Sequence, residues 1–216
     1  MTEALFGLDM AQKSGRITVY TGPMFSAKSE LLIRELGLAR IVGEEILAIK
    51  PRVDNRTSDN IASRRWDEVG KNFIESSHWP AVVVNSVTDV WDAIDSVANI
   101  KGSTKNIQVL AIDEAQFMDE WLVYLVEDFA YRIGLKIYIA GLDLDAWRRP
   151  FGRMPKILAM ADEVVKTRAI CFKCKSRNGR FTQKLGGSSS QVEVGDFGLY
   201  EARCFKCWTP PEAEAS

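Results

Sequence analysis

The chain lacks an excess of charge of either sign: 28 Lys and Arg stand against 29 Asp and Glu, for a net charge of −1. That balance excludes a general electrostatic pull toward DNA or RNA, although local basic clusters can still hold a small phosphorylated ligand. No apolar run approaches the ~18 residues that a membrane span requires. The opening Met1-Thr-Glu-Ala-Leu-Phe-Gly7 lacks the basic region and apolar stretch of a secretory signal, so a cytoplasmic protein with no membrane partner is expected. Histidine is nearly absent; His78, the single one, lies beside Trp79 in a stretch without a motif and is given no role. No cysteine is left over: all 4 fall into two Cys-x-x-Cys pairs, a pattern that in a reducing compartment points to metal before disulfide.

What is present suits a globular enzyme. The 216 residues, 46% of them apolar and 26% charged, suffice for one domain of ordinary size with a small appendage. Short apolar runs at Ile17–Thr21, Ile46–Ile49, Ala81–Val84, Val109–Ile112, Lys136–Ala140 and Glu163–Thr167 read as strands. Helical patterns lie between them, from Leu31 toward Gly43, after a capping Ser86, over Trp121–Ile133 and over Met154–Ala161. Strands alternating with helices predict an α/β fold with a parallel sheet covered on both faces. Pro51 to Gly70, polar and rich in arginine, reads as a long loop. Past Arg168 the texture shifts to Gly, Ser, Cys and short β-like runs, which marks a small appended unit.

Three clusters carry chemistry. Gly22, Pro23, Met24, Phe25, Ser26, Ala27, Lys28 and Ser29 follow a strand and open a helix, the context of a phosphate loop. Backbone N–H groups and the helix N-terminus attract phosphate there. Lys28 would reach the terminal phosphates and Ser29 would hold Mg²⁺. Ala27 stands where Gly is usual, which strains the backbone if the position needs positive φ. Val109–Ile112 ends in Asp113-Glu114, at the strand edge where parallel sheets place their ligands. Asp113 suits the metal and Glu114 a general base. Cys171, Cys174, Cys204 and Cys207 form two knuckles whose four thiolates suit a closed, structural Zn²⁺ site.

Taken in order, these segments resemble the type II thymidine kinases, the zinc-containing family, from about Gly15 to Trp208. Lys50-Pro-x-x-Asp54-x-Arg56 with Ser63-Arg64 resembles that family's lid. Asp113-Glu114-Ala115-Gln116-Phe117 resembles its catalytic segment, and Gly141-Leu-Asp-Leu-Asp145 with Pro150-Phe-Gly152 its substrate-side loop. The resemblance implies a P-loop NTPase (RecA-like) sheet over residues 15–168, a zinc-bound lasso subdomain over 169–208, and tails at 1–14 and 209–216. It implies ATP, Mg²⁺ and structural Zn²⁺ as cofactors and thymidine as substrate. Lys28 and Glu114 would be catalytic. Gly22 through Ser29 with Asp113, Glu114, Ala115 and Gln116 would hold the nucleotide. Met24, Arg64, Gln116, Phe117, Leu142, Thr182, Val192, Val194, Gly195 and Tyr200 would hold the nucleoside. Arg56 and Arg64 would close over the phosphates. A homotetramer or homodimer is implied, with no nucleic-acid partner. The sequence departs from the family at Ala27, at Ala146, where Phe is usual and Trp147 follows, and at Val194-Gly195, where Gly-Gly is common. The residues alone also allow another P-loop NTPase without a nucleoside acceptor, or a zinc-stabilised nucleic-acid-binding module with a decayed nucleotide site.

Overall fold

The computed structural model describes residues 15–54, 59–67, 72–101, 107–186 and 198–211. Six strands form one parallel sheet: β1 (Arg16–Thr21), β2 (Ile46–Pro51), β5 (Val82–Val84), β6 (Val109–Ile112), β7 (Lys136–Gly141) and β8 (Glu163–Lys166). Their order across the sheet is β5-β2-β6-β7-β1-β8, and each neighbouring pair runs parallel. Every strand therefore delivers its carboxyl end to one edge, where ligands of open α/β sheets bind.

Alternation along the strands feeds two cores. Ile17 and Val19 of β1, Leu47 and Ile49 of β2, Leu110 and Ile112 of β6, and Ile137 and Ile139 of β7 face one side. There they pack on α2 (Val87–Lys101), α3 (Trp121–Glu127) and α4 (Met154–Met160), with Phe129 from the π-helical turn Asp128–Ile133 that continues α3. The opposite side carries smaller groups, Ala48, Ala111 and Ala140, under Leu32 and Leu36 of α1 (Lys28–Ile41). Small side chains on that face let α1 lie close across β6, β7 and β1. Burying each Leu or Ile fully contributes ~1.5–3 kcal/mol, so both faces are held firmly.

Ser86 caps α2 as the sequence suggested. Its hydroxyl accepts the Asp89 N–H at 3.3 Å, and the Asp89 carboxylate accepts the N–H groups of Asn85 at 2.6 Å and Ser86 at 3.0 Å. This reciprocal capping satisfies N–H groups that a helix start leaves free. The Asn85 N–H is the main reason the Asp89 carboxyl sits below its usual range.

One expectation is corrected. Residues 51–70 are not one long loop, because β3 (Asn60–Asp67) pairs antiparallel with β4 (Asn72–Pro80), with a register shift between Ser63 and Arg64. Ile61 and Trp79 are buried and join the α1 side of the core. The Arg40 guanidinium lies 3.8 Å from the Trp79 ring centre. Inward-facing Ser63 bonds with the hydroxyls of Ser76 at 2.8 Å and Ser77 at 2.6 Å, so hydroxyls occupy places where apolar residues would have signalled a strand.

Beyond the main sheet, β9 (Phe181–Lys184) and β10 (Tyr200–Arg203) form a two-stranded antiparallel sheet between the cysteine pairs. Among the described residues, no helix is long and apolar enough to cross a membrane.

Candidate active site

The phosphate loop is shaped by two close approaches. Gly22 has φ 142°, and a Cβ there would come 2.6 Å from the Thr167 carbonyl oxygen, so only glycine fits. Thr167, just past β8, donates its hydroxyl to the Thr21 carbonyl at 2.9 Å and lies 2.7 Å from the Ser26 hydroxyl. Ser26 in turn donates to the Pro23 carbonyl at 2.7 Å. Ala27 adopts φ 63°, ψ 24°, and its carbonyl accepts the Leu31 N–H at 3.1 Å to start α1. The position does require positive φ, so Ala27 carries left-handed strain of ~1–2 kcal/mol.

Lys28 curls back over the loop, with its ammonium 2.7 Å from the Pro23 carbonyl. The Ser29 hydroxyl lies 3.2 Å from both carboxylate oxygens of Asp113, at the end of β6. Glu114 follows in the left-handed region at φ 51°, a strained placement for a non-glycine residue. Its carboxylate accepts a short hydrogen bond from the Gln116 amide nitrogen. The Gln116 amide oxygen accepts the Leu142 N–H at 2.9 Å, tying the ends of β6 and β7 together.

These groups open into one cavity at the carboxyl edge. Met24 through Ser29, Asp113 and Glu114 line it, with Phe117, Leu142, Thr182 and Tyr200 on its walls and Arg64 from the hairpin. Phe117 meets Phe151 edge to face, with ring centres 5.5 Å apart. Thr182 couples the small sheet to the phosphate loop by accepting the Met24 N–H at 3.1 Å. Gly22, Pro23 and Gln116 lie behind the lining, and Ala115 is buried in the core instead of facing the cavity. Arg56, Val192, Val194 and Gly195 lie outside the described residues.

The four cysteine sulfurs lie within 4.8 Å of one another. Four thiolates so placed fit the closed tetrahedral site of structural Zn²⁺. Hydrogen bonding from Ser176 draws the Cys174 thiol down to about 6. Burial, together with the neighbouring sulfurs, pushes Cys207 up to about 12. A cation at the centre favours the thiolate form at all four.

The thymidine kinase family model matches residues 15–208. A thymidine kinase of Bacteroides thetaiotaomicron is 35% identical over 213 residues, covering 97% of this chain and 96% of the relative. One from Mycoplasma mobile is 36% identical over 194 residues, covering 89% and 86%. One from Bacteroides fragilis is 36% identical over 207 residues, covering 94% of each. The chain belongs to the thymidine kinase family. Membership makes it a kinase and gives the phosphate loop, the acidic pair and the four-cysteine cluster a common setting.

In this family member the cavity also takes in residues that the sequence marked only as parts of the substrate-side loop and the lid. Asp145, Ala146 and Trp147 line the cavity together because the segment is a tight turn, not an extended strand. The Asp145 carboxylate accepts the N–H groups of Trp147 at 2.9 Å and Arg149 at 2.8 Å. Asp54 also lines the cavity and pairs at 3.0 Å with Lys50, whose side chain is only 1% exposed. An Asp whose carboxylate can accept backbone N–H groups a few residues on signals such a turn; nothing in the sequence signals a lysine buried beside the sheet.

Proposed function

We propose that the chain transfers the γ-phosphoryl group of ATP to the 5′-hydroxyl of thymidine. The observation that carries this reading is the meeting of Ser29 and Asp113, with Glu114 beside them, in a cavity whose other walls carry the apolar Phe117, Leu142, Trp147 and Phe151. Family membership supports the substrate.

Glu114 is the base that accepts the 5′-hydroxyl proton as the oxygen bonds to the γ-phosphorus and the bond to the bridging oxygen breaks, releasing ADP. Gln116 fixes the direction of the Glu114 carboxylate through its own bond to Leu142. Lys28 and the loop N–H groups stabilise the charge that spreads over the phosphoryl oxygens. Ser29 and Asp113 are the residues that would hold Mg²⁺, which supplies charge neutralisation on the phosphates. Arg64, at the cavity mouth, is placed to approach the phosphates, and Arg56 belongs to the same proposed lid. Phe117, Leu142, Thr182 and Tyr200 hold the nucleoside, with Val192, Val194 and Gly195 of the proposed lasso.

We place the nucleotide-binding unit at 15–168 and the zinc-bound subdomain at 169–208. Family membership also supports a homo-oligomer, tetramer or dimer, acting in the cytoplasm. The reaction is tested by ATP consumption with Mg²⁺, with and without thymidine, beside a panel of other nucleosides. Thymidine-dependent formation of the monophosphate is expected; ATP hydrolysis independent of any nucleoside would favour a plain NTPase.

A further inference from the structure

Arg148 and Trp208 join the cavity loop to the cysteine cluster, and neither has a part in the reaction described above. The loop is one tight unit. Besides the two bonds to the Asp145 carboxylate, the Asp145 N–H donates to the Arg149 carbonyl at 2.9 Å and the Phe151 N–H to the Asp143 carbonyl at 3.0 Å. Its tip presents Ala146 and Trp147 to the cavity. Arg148 comes next, at φ 66°, and does not line the cavity. Its guanidinium stacks instead among three rings, 4.4 Å from Phe181, 4.8 Å from Trp208 and 5.3 Å from Phe205.

Trp208 reaches the same loop a second way, by donating its indole N–H to the Ala146 carbonyl at 3.3 Å. It directly follows Cys207, and its own backbone N–H donates to the Cys204 carbonyl at 3.0 Å. The turn that carries the last cysteine pair therefore sets where Trp208 sits. A left-handed arginine persists only where its surroundings over-determine it, and the ring cage does so here.

We propose that Arg148 and Trp208 are positioning residues that hold the Ala146–Trp147 wall, so that the cysteine-bound unit sets nucleoside affinity while leaving ATP affinity unchanged. The proposal rests on the nucleoside-kinase reading. Without the cage the loop must be ordered at the moment of binding, and that entropy is charged to the nucleoside. The phosphate loop is anchored on the main sheet through Thr167, which reaches both Thr21 and Ser26, so loosening the Ala146–Trp147 loop leaves it in place.

The test compares Arg148→Ala, Arg148→Lys, Trp208→Phe and the Arg148→Ala/Trp208→Phe double variant with the unaltered chain. KM for thymidine and for ATP, kcat, calorimetric thymidine binding, zinc content and urea stability are measured. Arg148→Ala should weaken thymidine binding and raise its KM about tenfold, while kcat and the KM for ATP stay within about twofold. Arg148→Lys should recover part of the loss, because the cation is kept and the planar stack is not. Urea stabilities of the single and double variants should be non-additive, as expected of residues in contact. An unmoved thymidine KM in Arg148→Ala, or equal changes for both substrates, overturns the positioning role. Absence of thymidine binding and turnover in the unaltered chain would instead overturn the nucleoside reading on which the proposal stands.

Discussion

The Ser29 hydroxyl sits 3.2 Å from each carboxylate oxygen of Asp113, across a separation of 84 residues. Ser29 lies in the first turn of α1 and Asp113 just past β6, and β7 stands between β6 and β1 in the sheet. The two meet where α1 packs on β1, β6 and β7, over the small Ala111 and Ala140. A hydroxyl and a carboxylate so placed match the hard oxygen ligands that Mg²⁺ prefers. Ser29→Ala should raise the Mg²⁺ concentration needed for half-maximal rate about tenfold or more, with the fold intact. Titrating the rate with Mg²⁺ checks this, and an unchanged midpoint would remove Ser29 from the metal site.

Glu114→Gln is nearly isosteric and keeps a partner for the Gln116 side chain, so folding and thymidine binding should persist. Turnover should fall by ~10²–10⁴-fold, the usual contribution of a positioned general base. Single-turnover phosphoryl transfer is the direct measurement. Turnover within a few-fold of the unaltered enzyme would assign the proton to another group.

Most of the parallel sheet was legible because its strands are buried on both faces and read as unbroken apolar runs, as in Val109–Ile112. The phosphate loop and Asp113-Glu114 were legible because chemistry fixes residue type and spacing there. The β3–β4 hairpin was not. Its buried Ser63 is satisfied by the hydroxyls of Ser76 and Ser77, and its apolar anchors, Ile61 and Trp79, stand far apart in sequence. Lys50 was hidden for a related reason: a charge closing an apolar run reads as an exposed strand end, while its neutralising partner, Asp54, is set by tertiary structure. The shape of the turn at Asp145 was not legible, because the hydrogen bonds that close it run from side chain to backbone and leave no periodic trace.

Ala27→Gly should stabilise the protein. Left-handed backbone strain of ~1–2 kcal/mol would be relieved, offset by ~0.4–1 kcal/mol of extra freedom in the unfolded chain. The net gain of about 0.5–1 kcal/mol should appear as a higher urea midpoint at unchanged slope. Ala27→Val should move the midpoint the other way, since a β-branched side chain is still less tolerant of φ 63°. If Ala27→Gly were destabilising, the strain assigned to this position would be wrong.

The four-cysteine cluster makes the last prediction, and it links metal to substrate. Four sulfurs within 4.8 Å call for one Zn²⁺ per chain, measurable by elemental analysis. Cys204→Ser should lose the metal. Acidification should release it from the unaltered chain, because protons compete for the thiolates. Cys204 follows directly on β10, and its carbonyl receives the Trp208 N–H, so a metal held there would order both the β9–β10 sheet and the Trp208 indole. β9 carries Thr182 and β10 carries Tyr200, both on the cavity wall, whereas the phosphate loop is anchored on β1 and Thr167 and touches this unit through the Met24–Thr182 bond and the Phe25–Phe172 ring contact. Removing the metal should therefore weaken thymidine binding well before ATP binding, as calorimetry on partially demetallated protein can read. Equal loss of both ligands would mean that the metal sustains the whole fold and not the nucleoside wall in particular.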